Sequence, residues 1–238
     1  TPPVLGVSAN FSNDDLLLHL NTGPYEVSFD RATGGLAHIR DLRTQEFLSR
    51  NPEAKLWEVT FTDGKQISSA AYQGRFTYKW NSLFSRLTLH YQGTVALPLD
   101  VTIEIHPAKD QRLELQAKIT NHYPLPLQTF HFPVGIKVAT TEICDALLPM
   151  IPGVRLSPGF FTAGKSFRGQ YPGVMFADYM ALHTSHGYLA LYCQQPERGL
   201  SVPQPVQLGF DPLSQSGQTR LVHEFNTWIE PQEKWSSP

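Results

Sequence analysis

The chain is predicted to be all-β, a large antiparallel β-sandwich that forms one domain over residues 1–238. Apolar residues recur at every second position in many short segments, which is the pattern of strands with one buried face. No stretch keeps a helical period over three turns, so at most a short helix is expected. The 19 Pro and 17 Gly fall between the apolar segments as turn residues. Sandwiches of 238 residues commonly form a single domain.

The first strand pair is predicted around a glycine turn. A short apolar run at residues 16–20 ends in a turn cluster at residues 21–24. In the next segment Tyr25, Val27 and Phe29 alternate with polar residues, as in a half-buried strand. Two glycines follow at positions 34 and 35, where a turn needs positive φ, and residues 36–39 are extended again. Residues 25–39 are therefore predicted to form a hairpin.

Further strands follow along the chain. Alternating or apolar segments occupy residues 56–61, 76–80, 83–91 and 125–138. The best pair is residues 99–106 with residues 113–120, in which Val101, Ile103 and Ile105 face one way and the polar residues between them face the other. About a dozen strands or more are expected in all.

Residues 144–173 break this pattern. Four prolines and five glycines are spread among aromatic residues there, which predicts a long irregular loop. Such loops are often functional or part of an interface. A meandering connection that caps one end of the sandwich is an equally good interpretation.

Charge and composition exclude some classes of function. The net charge is −2 and the basic residues are scattered, so no nucleic-acid partner is expected. No apolar run approaches the roughly 18 residues that span a bilayer, which predicts no membrane partner and a soluble chain. The chain begins at Thr1 rather than Met, so it is a processed protein or a piece of one, and both a secreted and a cytoplasmic location stay open.

Cys144 and Cys193 are interpreted as two free thiols or as one disulfide.

Three groups of residues resemble a known domain. They are Phe29-Asp30 with Thr33-Gly34-Gly35-Leu36, Asp41 and the segment 44–48; Tyr171-Pro172-Gly173 with Met175, Gly187 and the segment 188–192; and Pro231, Glu233 and Trp235. In this order they resemble the N-terminal β-supersandwich domain, of the galactose-mutarotase-like, carbohydrate-binding type. That domain precedes the catalytic barrel in some bacterial glycoside-hydrolase-like proteins.

The resemblance implies a supersandwich fold and a partner. The sequence would be the N-terminal part of a longer chain, with a catalytic barrel after Pro238 as the domain on which it packs. Two departures limit the comparison. Gln194-Gln195 stands where those families often have His-Asp, so no role of that pair is transferred, and Gln232 replaces the usual turn glycine.

Known catalytic and metal motifs are absent. The nine histidines do not show the signature of aldose mutarotases, and no nucleophile turn, phosphate loop or dinucleotide fingerprint occurs. His183 and His186 have no third ligand nearby in sequence, and His223-Glu224 lacks the second histidine of a zinc helix. The carboxylates worth inspecting for glycoside hydrolysis are Asp178, Glu197, Asp211 and Glu224. We therefore predict that the chain has no catalytic residue and binds neither a metal ion nor a cofactor.

Carbohydrate binding is the remaining possibility, because sugars stack on flat aromatic rings beside polar groups. Arg168, Tyr171, Asp178 and Tyr179 are the predicted binding residues, since they flank the loop of residues 144–173. The leading hypothesis is a non-catalytic module of a glycoside-hydrolase-like enzyme. The alternatives are a self-contained enzyme of the mutarotase or epimerase type and a protein-interaction sandwich. A module should expose an apolar docking patch, and an enzyme should have a cleft where a histidine and a carboxylate converge.

Overall fold

The computed structural model describes residues 9–108, 112–193 and 203–238. This part of the chain contains 21 strands in four antiparallel sheets, two single 3₁₀ turns and one five-residue helix, α1 (Pro158–Thr162). Over the same ranges no helix has the length and apolar character needed to cross a membrane. The predicted all-β antiparallel sandwich is confirmed.

The first sheet contains five strands in chain order. They are β1 (Asn10–Asn13), β2 (Leu17–Asn21), β3 (Tyr25–Asp30), β4 (Leu36–Asp41) and β5 (Phe47–Arg50). At the turn between β3 and β4 the Oδ1 atom of Asp30 accepts hydrogen bonds from the backbone N–H groups of Ala32 and Thr33. Gly34 has φ of 66°, a conformation that glycine adopts at little cost. The predicted hairpin is confirmed.

The second sheet contains the best predicted pair at its centre. Its order is β21 (Lys234–Ser236), β11 (Leu113–Asn121), β10 (Leu99–Pro107), β9 (Arg86–Gln92) and β8 (Arg75–Asn81). Val101, Ile103 and Ile105 are all fully buried, and the residues between them are half-buried. The predicted alternation is therefore confirmed.

The third sheet has seven strands and draws them from both halves of the chain. The order is β16 (Phe167–Tyr171), β19 (Val206–Leu213), β20 (Gln218–Ile229), β12 (Leu127–His131), β6 (Glu58–Phe61) and β7 (Gln66–Ser68), and β13 (Lys137–Ala139) also pairs with β20. One face buries Val59, Phe130, Leu208 and Phe225 in the hydrophobic core. The other face is mostly polar.

The fourth sheet corrects one prediction. Its order is β15 (Val154–Leu156), β14 (Ile143–Leu148), β17 (Tyr179–Thr184) and β18 (Gly187–Tyr192). The expected irregular loop of residues 144–173 therefore contains most of β14, all of β15 and α1, and β16. The prediction was wrong because these elements have three to six residues each, and because β14 and β16 pair with the later strands β17 and β19. The prolines and glycines therefore separate the elements without preventing them.

Candidate functional site

A row of polar side chains crosses the polar face of the seven-stranded sheet, the face opposite the hydrophobic core. Strand register sets Gln170 opposite Gln207, Gln207 opposite Glu224, Glu224 opposite His131, and His131 opposite Glu58. Directly opposed residues have Cβ atoms about 4.5–5.5 Å apart and lie on the same face. We call these five residues the polar row.

The centre of the polar row is the pair formed by His131 and Glu224. His131 is 5% exposed, and its Nε2 atom is buried with no hydrogen-bond partner among the described residues. Burial, reinforced by the positive charges of Arg220 and Arg168, lowers the pKa of His131 to about 3. The imidazole is therefore neutral at pH 7.

Burial also acts on Glu224, which is half-buried. It raises the pKa of the Glu224 carboxyl above its ordinary value, although Arg168 and Arg220 act in the opposite direction. In the described ranges no side chain or backbone group donates a hydrogen bond to this carboxylate. Glu224 is thus a hydrogen-bond acceptor that is available for a ligand.

An ion-pair network lies beside the polar row. Arg168 donates two hydrogen bonds to Asp211, with Nη2 to Oδ2 at 2.6 Å and Nε to Oδ1 at 3.3 Å. Arg220 donates a third, from Nη2 to Oδ2 at 2.9 Å. Although burial of Asp211 works against it, these bonds hold the pKa of the Asp211 carboxyl below its ordinary value. Gly209 faces Arg168 across the strand pair, and the carbonyl oxygen of Phe167 lies where its Cβ would be.

The predicted binding residues do not come together. Arg168 lies in the ion-pair network next to the polar row, at 43% side-chain exposure. Tyr171 is on the same strand, but it is half-buried against the hydrophobic core, and Tyr179 begins β17 in the fourth sheet. Asp178 is only 5% exposed. Sugar binding by this set of four residues stays a prediction.

Asp178 instead belongs to a buried cluster on the core side of the sheet. Its Oδ1 atom lies 3.0 Å from Nε2 of His223, and Nδ1 of His223 lies 2.7 Å from the carbonyl oxygen of Phe132. Burial, followed by the charge of Asp178, raises the pKa of Cys193 to about 12. Both cysteines are free thiols. His223 and Cys193 line a cavity of about 340 Å³ whose walls include none of the polar row.

Two of the four carboxylates selected from the sequence do share a face, because Asp211 and Glu224 are on neighbouring strands with Arg168 between them. Glu197 lies outside the described residues. His183 contacts Asp145 at 3.2 Å, while His186 is 3.5 Å from Glu142. Over residues 9–108, 112–193 and 203–238 no group of three potential ligands could hold a metal ion.

The sequence reasoning missed His131, which looked like any of the nine histidines. A signal was present in β20, where Arg220, Glu224 and Asn226 alternate with buried residues and so mark a polar face. The order of strands was not readable from this alternation. Without that order, His131 could not be assigned to the position beside Glu224.

Comparison by sequence finds no relatives: no family model matches the chain, and no curated protein matches it. Comparison by structure finds several. The chain is similar to an α-N-acetylgalactosaminidase from Bifidobacterium bifidum, described as a GalNAc complex, with a TM-score of 0.62 and 10% identity. The match covers 92% of this chain and 34% of that one, so the chain spans about a third of the length of that enzyme.

Two further structures cover almost the whole of both chains at lower scores. A galactose mutarotase-like protein from Lactobacillus casei has a TM-score of 0.43 and 10% identity, covering 96% of this chain and 97% of that one. A galactose mutarotase related enzyme from Lactobacillus acidophilus has a TM-score of 0.41 and 10% identity, covering 96% and 95%. At 10% identity a likeness shows fold rather than activity. The chain therefore shares its sandwich fold with a segment of a carbohydrate-active enzyme.

Proposed function

We propose that the chain is a carbohydrate-binding sandwich that holds a sugar on the polar row and does not itself convert it. The observation that supports this most strongly is the Glu224 carboxylate. It is half-buried, has a raised pKa and accepts no hydrogen bond in the described part of the chain, while neutral His131 lies directly opposite it. A sugar hydroxyl would provide the missing donor.

The chemistry of the polar row suits a ring of hydroxyl groups. Each hydroxyl both donates and accepts, so a complementary surface needs acceptors and donors in alternation. Glu224 accepts, the two amides of Gln170 and Gln207 do both, and Arg168 still has guanidinium N–H groups beyond those directed at Asp211. The solved neighbour from Bifidobacterium bifidum is described with GalNAc, which makes N-acetylgalactosamine a reasonable first probe.

The pKa values favour binding over conversion of the sugar. Ring opening needs an acid that protonates the ring oxygen and a base that deprotonates the anomeric hydroxyl. Glu224 could act as the base. His131, however, has a pKa of about 3 and carries no extra proton to give at pH 7. On the polar row, the mutarotase or epimerase hypothesis is therefore the weaker one.

The test is a titration with N-acetylgalactosamine, galactose and glucose, followed by ligand-observed NMR and calorimetry. Glu224→Gln should weaken the affinity by about tenfold or more, because a hydrogen bond to a charged group contributes roughly 1.5–3 kcal/mol. Glu46→Gln, at a 54% exposed side chain in the turn before β5, is the matched control and should change nothing. No binding of any of the three sugars would refute the proposal. Sugar interconversion that Glu224→Gln abolishes would favour the enzyme instead.

A second function, docking onto a catalytic domain, is favoured by an exposed apolar patch. Met150 and Met175 pair as an isolated antiparallel bridge, and the N–H of Phe176 donates to the carbonyl of Pro149. Met175 is buried, so its neighbours point outward on the opposite side. Ile151, Val174 and Phe176 are 84%, 58% and 60% exposed. A patch of this kind commonly marks an interface.

Docking is tested on the protein as it occurs in its source. The first measurement is the intact mass of the natural protein. If this mass exceeds that of the 238 residues, backbone amides at positions 150–151 and 174–176 should exchange hydrogen more slowly in the natural protein than in the isolated chain, because docking would cover them. Equal exchange in both would contradict docking through this patch, and a natural mass equal to that of the 238 residues would contradict the module.

A further inference from the structure

Trp228 has an unusual position for a large aromatic residue. Its side chain is 57% exposed, and its backbone has φ of 50°, in the left-handed region that bulky residues rarely adopt. Between Leu127 and Thr129 the partner in β20 changes from Ile229 to Asn226, so Thr227 and Trp228 together lie opposite one residue. This is a β-bulge, and glycine often occupies the left-handed position of a bulge.

Trp228 lies on the same side of the sheet as the polar row. Asn226 alternates with the buried residue Phe225, and Trp228 is 57% exposed directly beside the buried residue Ile229, so the side chains at positions 226 and 228 both lie on the side away from the core. Glu224 is on that side too. At a rise of roughly 3.3 Å per residue, about 13 Å separate Trp228 from Glu224 along the strand. That distance is longer than one sugar ring.

The indole ring is held in place on the surface. Its Nε1–H donates a hydrogen bond of 3.0 Å to Oε1 of Glu230, and within residues 9–108, 112–193 and 203–238 no aromatic ring or cation stacks on the flat faces of the indole. Left-handed backbone at a bulky residue is strained by about 1–3 kcal/mol, and such strain is concentrated at functional sites. Asn226 lies between the ring and Glu224, and it supplies an amide to the same surface.

We infer that the face binds an oligosaccharide rather than a single sugar, with one unit on the polar row and another stacked on Trp228. This rests on the proposed function. Apolar C–H groups of a sugar ring pack on the indole, while hydroxyl groups reach Asn226 and Glu230. The bulge turns the ring outward at the end of the polar face, where a chain of two or more sugar units would pass over it.

The test compares single sugars with oligosaccharides of two to four units that contain galactose, N-acetylgalactosamine or glucose. Trp228→Gly removes the ring and leaves a residue suited to φ of 50°, so the fold should be kept or stabilised. Trp228→Asn is a second variant that also tolerates this backbone. Phe84→Ala, at another exposed aromatic residue in the turn between β8 and β9 of the second sheet, is the control. Affinity is measured by calorimetry, and tryptophan fluorescence reports stacking.

For the unmodified chain, oligosaccharides should bind about tenfold more tightly than single sugars and should shift the tryptophan emission to shorter wavelength. Trp228→Gly and Trp228→Asn should abolish both effects and leave the affinity for single sugars within about twofold. Single sugars that bind as tightly as oligosaccharides, or a preference that survives both variants, would overturn this inference alone. A chain that binds no sugar of any length would overturn the proposed function as well.

Discussion

Replacing Asp211 with asparagine tests whether the ion-pair network beside the polar row stabilises the fold. Hydrogen bonds to charged groups contribute about 1.5–3 kcal/mol each. The side chain of Arg168 is 43% exposed, so solvent screening reduces the contribution of the Arg168–Asp211 ion pair to roughly 0–1 kcal/mol, as for other surface ion pairs. The side chain of Arg220 is only 24% exposed, so its hydrogen bond to Asp211 keeps most of the contribution expected for a charged group. Asp211→Asn should therefore lower the free energy of unfolding by about 2 kcal/mol and the Tm by about 4–8 °C.

The effect of pH on this variant has a definite sign. The pKa of Asp211 is lower in the folded chain than its ordinary value of 3.8, so its contribution is present above pH 3.8 and is lost as the pH falls through the folded value. Urea unfolding at neutral pH and at progressively lower pH should show the difference between the two chains shrinking with acid. Asp15→Asn, at an exposed carboxylate, is the control and should change stability little. A loss below about 0.5 kcal/mol at pH 7, or a difference independent of pH, would refute the reasoning.

Four shorter predictions concern the same sheet and its surroundings. Glu224→Gln should raise the free energy of unfolding at pH 7, since burial disfavours the ionised carboxyl, and in urea titrations the gain should disappear below the ordinary pKa of 4.5. The imidazole of His131, with a pKa of about 3, should not titrate in NMR spectra between about pH 8 and pH 5. Gly209→Ala should cost at least about 1–3 kcal/mol in thermal unfolding, because the added Cβ would overlap the carbonyl oxygen of Phe167. Cys193, with a pKa of about 12, should react with iodoacetamide at pH 8 far more slowly than a thiol of the unfolded chain.

Each of these has a control or an opposite outcome. Gly159→Ala is matched to Gly209→Ala, because the nearest atom to the added Cβ is 3.8 Å away, and it should not destabilise the chain. An imidazole of His131 that titrates near pH 6.5 would show that it is neither buried nor surrounded by positive charge. Equal labelling of Cys193 in the folded and the unfolded chain would contradict the burial of this thiol. A Glu224→Gln variant less stable than the parent would show that Arg168 and Arg220 dominate the environment of Glu224.

The strands were predictable where burial alternates strictly within one segment. The pair of residues 99–106 and 113–120 is the clearest case, because its apolar side faces the core and its other side faces water. Residues 144–173 were not predictable, since α1 and β15 are too short to show any period, and since β14 and β16 pair with β17 and β19, which lie outside this segment.

The candidate site was predictable only in part, for a related reason. Arg168, Asp211 and Glu224 were each noticed for their chemistry, but their convergence depends on the order of strands in the sheet. Asp178 was chosen because it flanks the loop, although it lies on the core side of the sheet, hydrogen-bonded to His223. A polar residue beside a loop is as easily buried as exposed, and the sequence near Asp178 gives no alternation to separate the two cases.

The seven-stranded sheet has a consequence for how the chain folds. Its central pair joins β12 to β20, roughly a hundred residues apart, and the strands on the two sides of this pair come from earlier and later parts of the chain. Loop closure over such distances slows folding, so the chain should fold slowly, as proteins with many remote contacts do. During synthesis β6, β7 and β12 can pair with one another, but β12 would emerge long before its other partner, β20. The unpaired edge of β12 would then depend on a chaperone, or on fast elongation, to avoid pairing with other chains.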